Sequence, residues 1–480
     1  MFGRGSRGSG RVGALRSTFA FAAAAVIVAG CTSTAATASS SPNQTPTPTP
    51  TALQTPTVEP TAWPSGEVTE YSVIKGTAAL AQPAADSGAA EGTRIDSFAL
   101  SLLARMDSDG NLCMSPTSIA LALAMIRPGA HGTTAAQMDT ILGQLGAPGQ
   151  EAQMVALLNQ LRGQVYYIDD EGYPLPATST PNPSQPDPIL LLTVANQLFS
   201  QKDMPVEQAY LDALSSTYGA GIGQLDFNND PESARLTINK WASDNTKGRI
   251  QNVLQQGDVN TDTRIALANA IYLKANWRDK FDPAKTAPGN FTTAKGAKVS
   301  VPMMSNELWM DYAAGSGYKA VRVPLDAMSS LAMTFVIPDN MAAFQAGLTA
   351  QKLDSILGSM KTYDVSLWLP KFSVESRFDL ASVLSSMGMT DLFTPGVADL
   401  TGINTTEQLF IQSVIHQANM DVDEQGVTAA AVTVALGLGG AAEPPPHVDL
   451  HVDHPFLYFI RDRESGAILF MGRVNDASVK

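Results

Sequence analysis

Few side chains in this chain are equipped for chemistry. There are five histidines, His131, His416, His447, His451 and His454, and two cysteines, Cys31 and Cys113. No histidine lies in an HExxH pattern, which would set two zinc ligands on one helix face. No GxSxG nucleophile elbow and no phosphate-binding glycine loop occurs. His447, Asp449, His451 and Asp453 alternate along HVDLHVDH, so on a strand they share one face, the arrangement of a surface Zn or Ni site. The same two-residue alternation marks any half-exposed strand. On that second reading no metal and no cofactor is assigned. Cys113 sits among apolar residues in NLCMSPTSIALALAMI and reads as a small buried hydrophobe.

Cys31 has a different context. Arg4, Arg7, Arg11 and Arg16 precede an apolar run, Phe19 to Val28, that is too short to span a bilayer. Small residues follow, so 1–30 reads as a secretory signal. Val28-Ala29-Gly30-Cys31 resembles the bacterial lipobox, which implies cleavage before Cys31 and lipidation of its sulfur, and hence an exported protein anchored at the extracytoplasmic membrane face. The alternative is an ordinary signal with an incidental cysteine. Residues 31–90 form a tether and lead-in; from Thr32 to Gly66 they are almost all Thr, Ser, Ala and Pro, too polar to bury a core, and predict a solvated spacer. Loss of the four leader arginines leaves 27 basic residues against 45 acidic ones, a net charge near −18. Nucleic acid is excluded as a partner for such a surface.

The remaining residues, 91–480, form one domain without an internal linker. The Pro-rich stretch Asp170 to Pro188 adjoins regular elements at both ends and predicts a surface loop. RIDSFALSLLARM and SPTSIALALAMI carry apolar residues at helical spacing, whereas TRIALANAIYLKANW, YKAVRVPL, LAMTFVIPD, DVSLWLPKFSVES and HPFLYFIRDRESGAILFMGRV are rich in β-branched and aromatic residues. The last holds RESG between two apolar runs, a hairpin signal. The periodicity places helices in the first half and strands in the second, an α+β chain with a long, largely antiparallel sheet system. One segment fits neither class. DEQGVTAAAVTVALGLGGAAEPPP, from Asp423 to Pro446, is uncharged from Val427 through Ala442, too rich in small residues for a core helix and too long for a turn.

From Glu91 to Asn475 the blocks resemble, in order, those of the serpins. NLCMSPTSIALALAMIRPGAHGTTAAQM, ANQLF, YGAGIGQLDF, INKWASDNTKGRIQNVL, TRIALANAIYLKANWRDKF, VPMM, LWLPKFSVES, LSSMGMTDLF, HQANMDVDEQGVTAAA and the C-terminal hairpin carry the likeness. The resemblance implies a fold of three β-sheets and about eight or nine helices with an exposed reactive-centre loop. It also implies no enzyme but a monomeric, single-use inhibitor of serine proteases, which traps its target as a covalent acyl complex by inserting the loop into the main sheet. The hinge then maps onto Glu424, Gly426, Val427, Ala429 and Ala431. Val427, Ala429, Ala431, Thr433 and Ala435 would face one way on insertion, all uncharged and of modest size, and no Pro occurs before Pro444. Val427 stands where Thr is commonest in inhibitory relatives and is expected to stay solvated until the loop is cut. The opposite face, including Ala430, Val432 and Leu436, is apolar, an aggregation hazard.

The family's spacing places the attacked bond at Gly440-Ala441, with Leu438 as the alternative P1 residue. A small P1 suits elastase-like proteases and Leu438 suits chymotrypsin- or subtilisin-like ones; the loop has no Lys or Arg for a trypsin-like target. The shutter maps onto Ser115, Ser118, Asn269 and His416, and the breach above it onto Trp277. The segment 134–163 holds one Arg and two acids, so no heparin-type activation is expected. The rival readings are a non-inhibitory serpin and a binding or metal-binding surface lipoprotein on the same scaffold.

Overall fold

The computed structural model describes residue 68 and residues 70–479, except 86–87, 108, 163, 169–173, 177–188, 326–328 and 428–443. The tether's first part and leader therefore lie outside the described residues. So do Cys31 and the loop residues Ala429, Ala431, Leu438, Gly440 and Ala441.

The central sheet runs in the order Ser72–Ile74, Ile222–Leu225, Leu190–Gln201, Ile265–Asn276, Gly426–Val427, Ile415–Val422, Phe372–Asp379, with two short strands attached beside Leu190–Gln201. Leu190–Gln201 and Ile265–Asn276 pair antiparallel from Leu190↔Ala275 to Ser200↔Ile265. Ile415–Val422 pairs with all of Phe372–Asp379. Between these two blocks stands only the two-residue strand Gly426–Val427, bonded to both; among the described residues no register joins Ile265–Asn276 directly to Ile415–Val422. Ser72–Ile74, part of the lead-in, closes the far edge by pairing with Ile222–Leu225.

A second ladder holds nine strands, among them the predicted C-terminal hairpin, Phe456–Asp462 with Ile468–Val474. Three sheets are expected, and the hydrogen bonding shows why two of them are joined. Lys298–Gly315 is 18 residues long. It pairs with Lys361–Pro370 through residues 303–312 and with Tyr318–Pro324 through 311–315, so one strand serves two sheets and they overlap only at Asp311 and Tyr312.

Nine α-helices are present among the described residues. Pro116–Ile126 lies between the layers, packed on Leu190–Gln201, Ile265–Asn276 and Ile468–Val474, and every one of its residues is buried. Its start is written locally: Ser115 is the N-cap, its Oγ accepting from the Ser118 N–H at 3.3 Å, with Pro116 at the first position, where a missing N–H costs nothing. The split into a helical first half and a stranded second half is too coarse. Leu190–Gln201 is a central strand in the first half, and Met341–Ala346, Ala350–Ser359 and Ala381–Ser386 are short helices in the second, the first two started by side-chain caps, Asn340 Oδ1 accepting from Ala343 N–H and Thr349 Oγ1 from Lys352 N–H. Cys113 is fully buried, and burial pushes its thiol up to about 12, which leaves it inert.

Candidate functional site

The uncharged segment leaves the core through a tight hairpin. Val422 pairs with Val427, and Asp423 and Gly426 exchange N–H···O=C bonds at 3.1 and 3.3 Å. Asp423 Oδ1 accepts from the N–H of Gln425 at 2.8 Å and of Gly426 at 3.3 Å, a side chain standing in for the backbone inside the turn. Burial raises the Asp423 carboxyl, these bonds and Lys371 oppose it, and the neighbouring Glu424 charge adds to the rise; the net direction is upward.

Trp277 closes the hairpin from the other strand. Its backbone N–H donates to the Gln425 carbonyl at 2.9 Å and its Nε1 to the Asp423 carbonyl at 2.8 Å, while its ring is buried edge-on against Phe281 at 6.1 Å. The Glu424 carbonyl accepts from Phe281 N–H at 3.0 Å. The Glu424 carboxylate is buried, and its two oxygens are each taken by one partner, Lys371 Nζ at 2.8 Å and Thr286 Oγ1 at 2.8 Å. Burial pushes this carboxyl up, but Lys371, a backbone N–H and Thr286 outweigh it and hold it below the usual glutamate value.

Gly426 is required where it stands. Its φ is 146°, and a Cβ there would lie 2.2 Å from the Ala275 carbonyl oxygen and 2.7 Å from Asn276 Cα. Val427 is 2 % exposed and paired with Ala275. The expectation that Val427 remains solvated before cleavage is therefore wrong: the hairpin is so short that its second arm is already in the sheet when the turn closes. A long or charged side chain at 427 burdens the native protein too.

The shutter residues converge on the first turn of Pro116–Ile126. Ser115 N–H donates to His416 Nε2 at 3.0 Å, and Ser118 Oγ donates to Asn269 Oδ1 at 2.6 Å. Asn269 Nδ2 returns to the Ser118 carbonyl and also donates to Asn196 Oδ1 at 2.6 Å. Because Nε2 accepts, the neutral His416 carries its proton on Nδ1. That nitrogen has no partner among the described residues, and burial pushes the imidazole down to about 4. The structure thus brings Ser115, Ser118, Asn269 and His416 together, and Glu424, Gly426, Val427 and Trp277 into a second cluster above them. Lys371, Thr286 and Asn196 were missed by sequence reasoning; they lie 53 and 138 residues from Glu424 and 73 from Asn269, with no local signal.

The family model described as Serpin (serine protease inhibitor) matches residues 93–477. The chain belongs to the serpin family. Serpin B3 of Homo sapiens is 32% identical, the match covering 77% of this chain and 94% of that protein. The leukocyte elastase inhibitor of Xenopus laevis is also 32% identical, over 76% of this chain and 93% of its own length. The native-state crystal structure of the thermophilic serpin tengpin superposes with a TM-score of 0.70 at 24% identity, covering 85% of this chain and all of that one, a likeness of fold. The family match and the observed sheet topology thus agree on the serpin fold.

Two tests follow from the geometry. Gly426→Ala should lower the urea midpoint by the equivalent of more than about 1 kcal/mol, since both φ and space forbid a Cβ. Hydrogen exchange at Val427 should quicken in that variant; unchanged exchange would show that the hairpin tolerates a side chain. His416 has a folded pKa of about 4, below the ordinary 6.5, so the unfolded chain binds the extra proton and stability is lost as pH falls from 6.5 toward 4. Between pH 7.5 and pH 5 this amounts to about 2 kcal/mol. Paired urea titrations should show that acid-induced loss reduced by about that amount in His416→Gln, whereas equal losses in both proteins would contradict it.

Proposed function

We propose that this serpin is a suicide-substrate inhibitor of extracellular serine proteases, with elastase- or subtilisin-like enzymes as preferred targets. The observation that carries the reading is the position of Val427, buried in the central sheet at the start of a run that stays uncharged and Pro-free through Ala442. Side chains alternate along a strand, so Ala429 and Ala431 would follow Val427 to the same side on further insertion. Nothing in that series resists burial. A non-inhibitory serpin has no need of such a series.

In this mechanism the protease's serine attacks the carbonyl of the P1 residue, Gly440 or alternatively Leu438. The peptide bond breaks, the chain beginning at Ala441, or at Gly439 where Leu438 is P1, leaves as the amine, and the P1 carbonyl stays on the protease as an ester. The freed loop extends the two-residue strand at Gly426–Val427 downward between Ile265–Asn276 and Ile415–Val422, carrying the protease with it before water can cleave the ester. The serpin supplies strain and no catalytic group. The relative named for leukocyte elastase supports a small-pocket target, as does the absence of Lys and Arg from the loop.

The location is part of the proposal. Lipidated Cys31 would hold the inhibitor at the extracytoplasmic membrane face, with Thr32 to Gly66 as spacer, where exported proteases arrive. One acyl chain binds membranes marginally and two or more hold stably.

With pancreatic or neutrophil elastase, or with subtilisin, the protein should give a complex that survives boiling in SDS, because the bond is covalent. In Ala431→Arg the insertion step must bury a guanidinium, at a cost of several kcal/mol. At about 1.4 kcal/mol per tenfold this slows insertion by orders of magnitude. Deacylation then wins, and moles of serpin consumed per mole of protease silenced should rise severalfold. Cleavage by every such enzyme without a stable complex would favour the non-inhibitory reading; an unchanged stoichiometry in Ala431→Arg would refute the insertion register. Separately, Cys31→Ala should move the protein from the membrane to the soluble fraction of its native host. A wild-type protein already soluble and intact would rule out the anchor.

A further inference from the structure

Strand His447–His451 follows directly on Pro444 to Pro446 and so anchors the C-terminal end of segment 428–443. It is the edge of the second ladder, held by one parallel neighbour, Lys361–Pro370, with Asp364↔His447, Ser366↔Asp449 and Trp368↔His451 in register. The next strand, Lys298–Gly315, sets Trp309 opposite Asp364 and Glu307 opposite Ser366. Residues opposed in a ladder, and residues two apart on a strand, point to the same side. Glu307, Asp364, His447 and Asp449 therefore share one face across three strands.

Their side chains meet there. One ligand atom each from Glu307, Asp364 and His447 lies within 4.8 Å of the other two. His447 Nδ1 is 3.1 Å from Asp364 Oδ2, and its Nε2 is 3.4 Å from Asp449 Oδ1. The alternating run HVDLHVDH is not the site as a whole. His451 stacks flat on Trp368 at 4.1 Å, and Asp453 Oδ1 is 2.8 Å from His454 Nδ1. Of the four alternating residues only the first two belong to the cluster, and the other groups come from neighbouring strands.

We propose that Glu307, Asp364 and His447 form a site for a divalent transition-metal ion of the zinc class. His447 ligates through Nδ1, and Asp449 accepts from the opposite N–H. A metal-bound histidine commonly donates its second ring N–H to a carboxylate, which fixes the tautomer and raises the ligand's basicity. Asp449 stands on that side of this ring. An imidazole in the donor set favours zinc over calcium and magnesium, which take oxygen ligands. Zinc bonds of about 2.0–2.2 Å put tetrahedral ligand atoms roughly 3.4 Å apart. Glu307 and His447 are solvent-exposed, so rotation of their side chains can draw the three groups together.

The consequence is mechanical. An edge strand otherwise bonded on one side becomes tied to two strands at once, at the point where the loop's C-terminal end enters the body. An ion that binds only this folded arrangement stabilises it by mass action. This site stands apart from the inhibitory reading, and its test reads binding rather than inhibition.

Isothermal titration of zinc chloride into the full chain, with thermal unfolding of the same samples, tests the proposal. One site is expected, with a zinc-dependent rise in melting temperature, and calcium chloride should give no heat. His447→Ala and Asp364→Asn should each weaken binding at least tenfold and abolish the thermal shift; Asp449→Ala should weaken it by about 10–100-fold. His451→Ala should leave both readouts unchanged. Metal-free melting of each variant, compared with metal-free wild type, separates loss of the site from loss of the fold. Absence of zinc binding up to millimolar concentration in the wild type overturns the proposal, as does equal affinity in His447→Ala or a loss in His451→Ala.

Discussion

The constraint on which this structure turns is that strand Ile265–Asn276 and strand Ile415–Val422 are neighbours without a direct ladder among the described residues. Backbone N–H and C=O groups inside a protein must find partners. Here the short strand Gly426–Val427 is the only described segment that pairs with both, Val427 with Ala275 and Val422 and Gly426 with Asn276. The top of the seam is held by these pairs and by the bonds around Trp277. Farther down, the strands are fastened to one helix rather than to each other: Asn269 of the first strand binds Ser118, and His416 of the second accepts from Ser115. A helix start four residues long, Ser115 to Ser118, thus links both strands of the seam. It does so with groups able to let go, since each link is one or two hydrogen bonds worth roughly 1 kcal/mol net apiece.

The electrostatics of the hinge and the shutter differ in kind. Glu424 is a buried charge kept ionised by Lys371 and Thr286; it pins the turn and loses that role if a partner is removed. His416 is a buried base kept neutral by desolvation, and it acts as an acceptor. The first holds the hairpin by charge pairing across the breach, and the second leaves the shutter uncharged. Protonation of His416 would set an Nε2–H donor against the Ser115 N–H donor, so acid would abolish this hydrogen bond and leave both groups unpaired.

Much of this was legible before the fold was known, and the reasons are specific. Ser115-Pro116 is a local helix start, Gly426 is a glycine because of its φ and its contact with Ala275, and the uncharged run announces itself by composition. The resemblance to the serpins then singled out Asn269, His416 and Trp277, which the structure bonds to Ser118, Ser115 and Asp423 respectively. What stayed hidden depends on long-range approach. Lys371 and Thr286 carry no mark of the carboxylate they neutralise, and Glu307 and Asp364 are unremarkable in their own strands until the register aligns them with His447. Val427 was misjudged because solvation was inferred from its membership of the loop, whereas the tight turn at Asp423 to Gly426 places it in the sheet.

For the proposed mechanism, the burial of Val427 changes how insertion would begin. The costly part of adding a strand is the first pairing, which orders several residues before the hydrogen bonds of a ladder accumulate. Here the first pairing exists already: the turn is closed, Gly426 and Val427 are bonded on both sides, and the register relative to Ala275 and Val422 is fixed. In the proposed mechanism, further insertion would be elongation of an existing ladder, each added residue finding backbone partners on two flanking strands. Elongation needs side chains that pass without desolvating a charge, and the run from Ala429 onward has them. The burial of Val427 would therefore fix where the proposed inserting strand starts and which of its side chains face inward, and the φ and close contacts of Gly426 reserve that turn position for glycine.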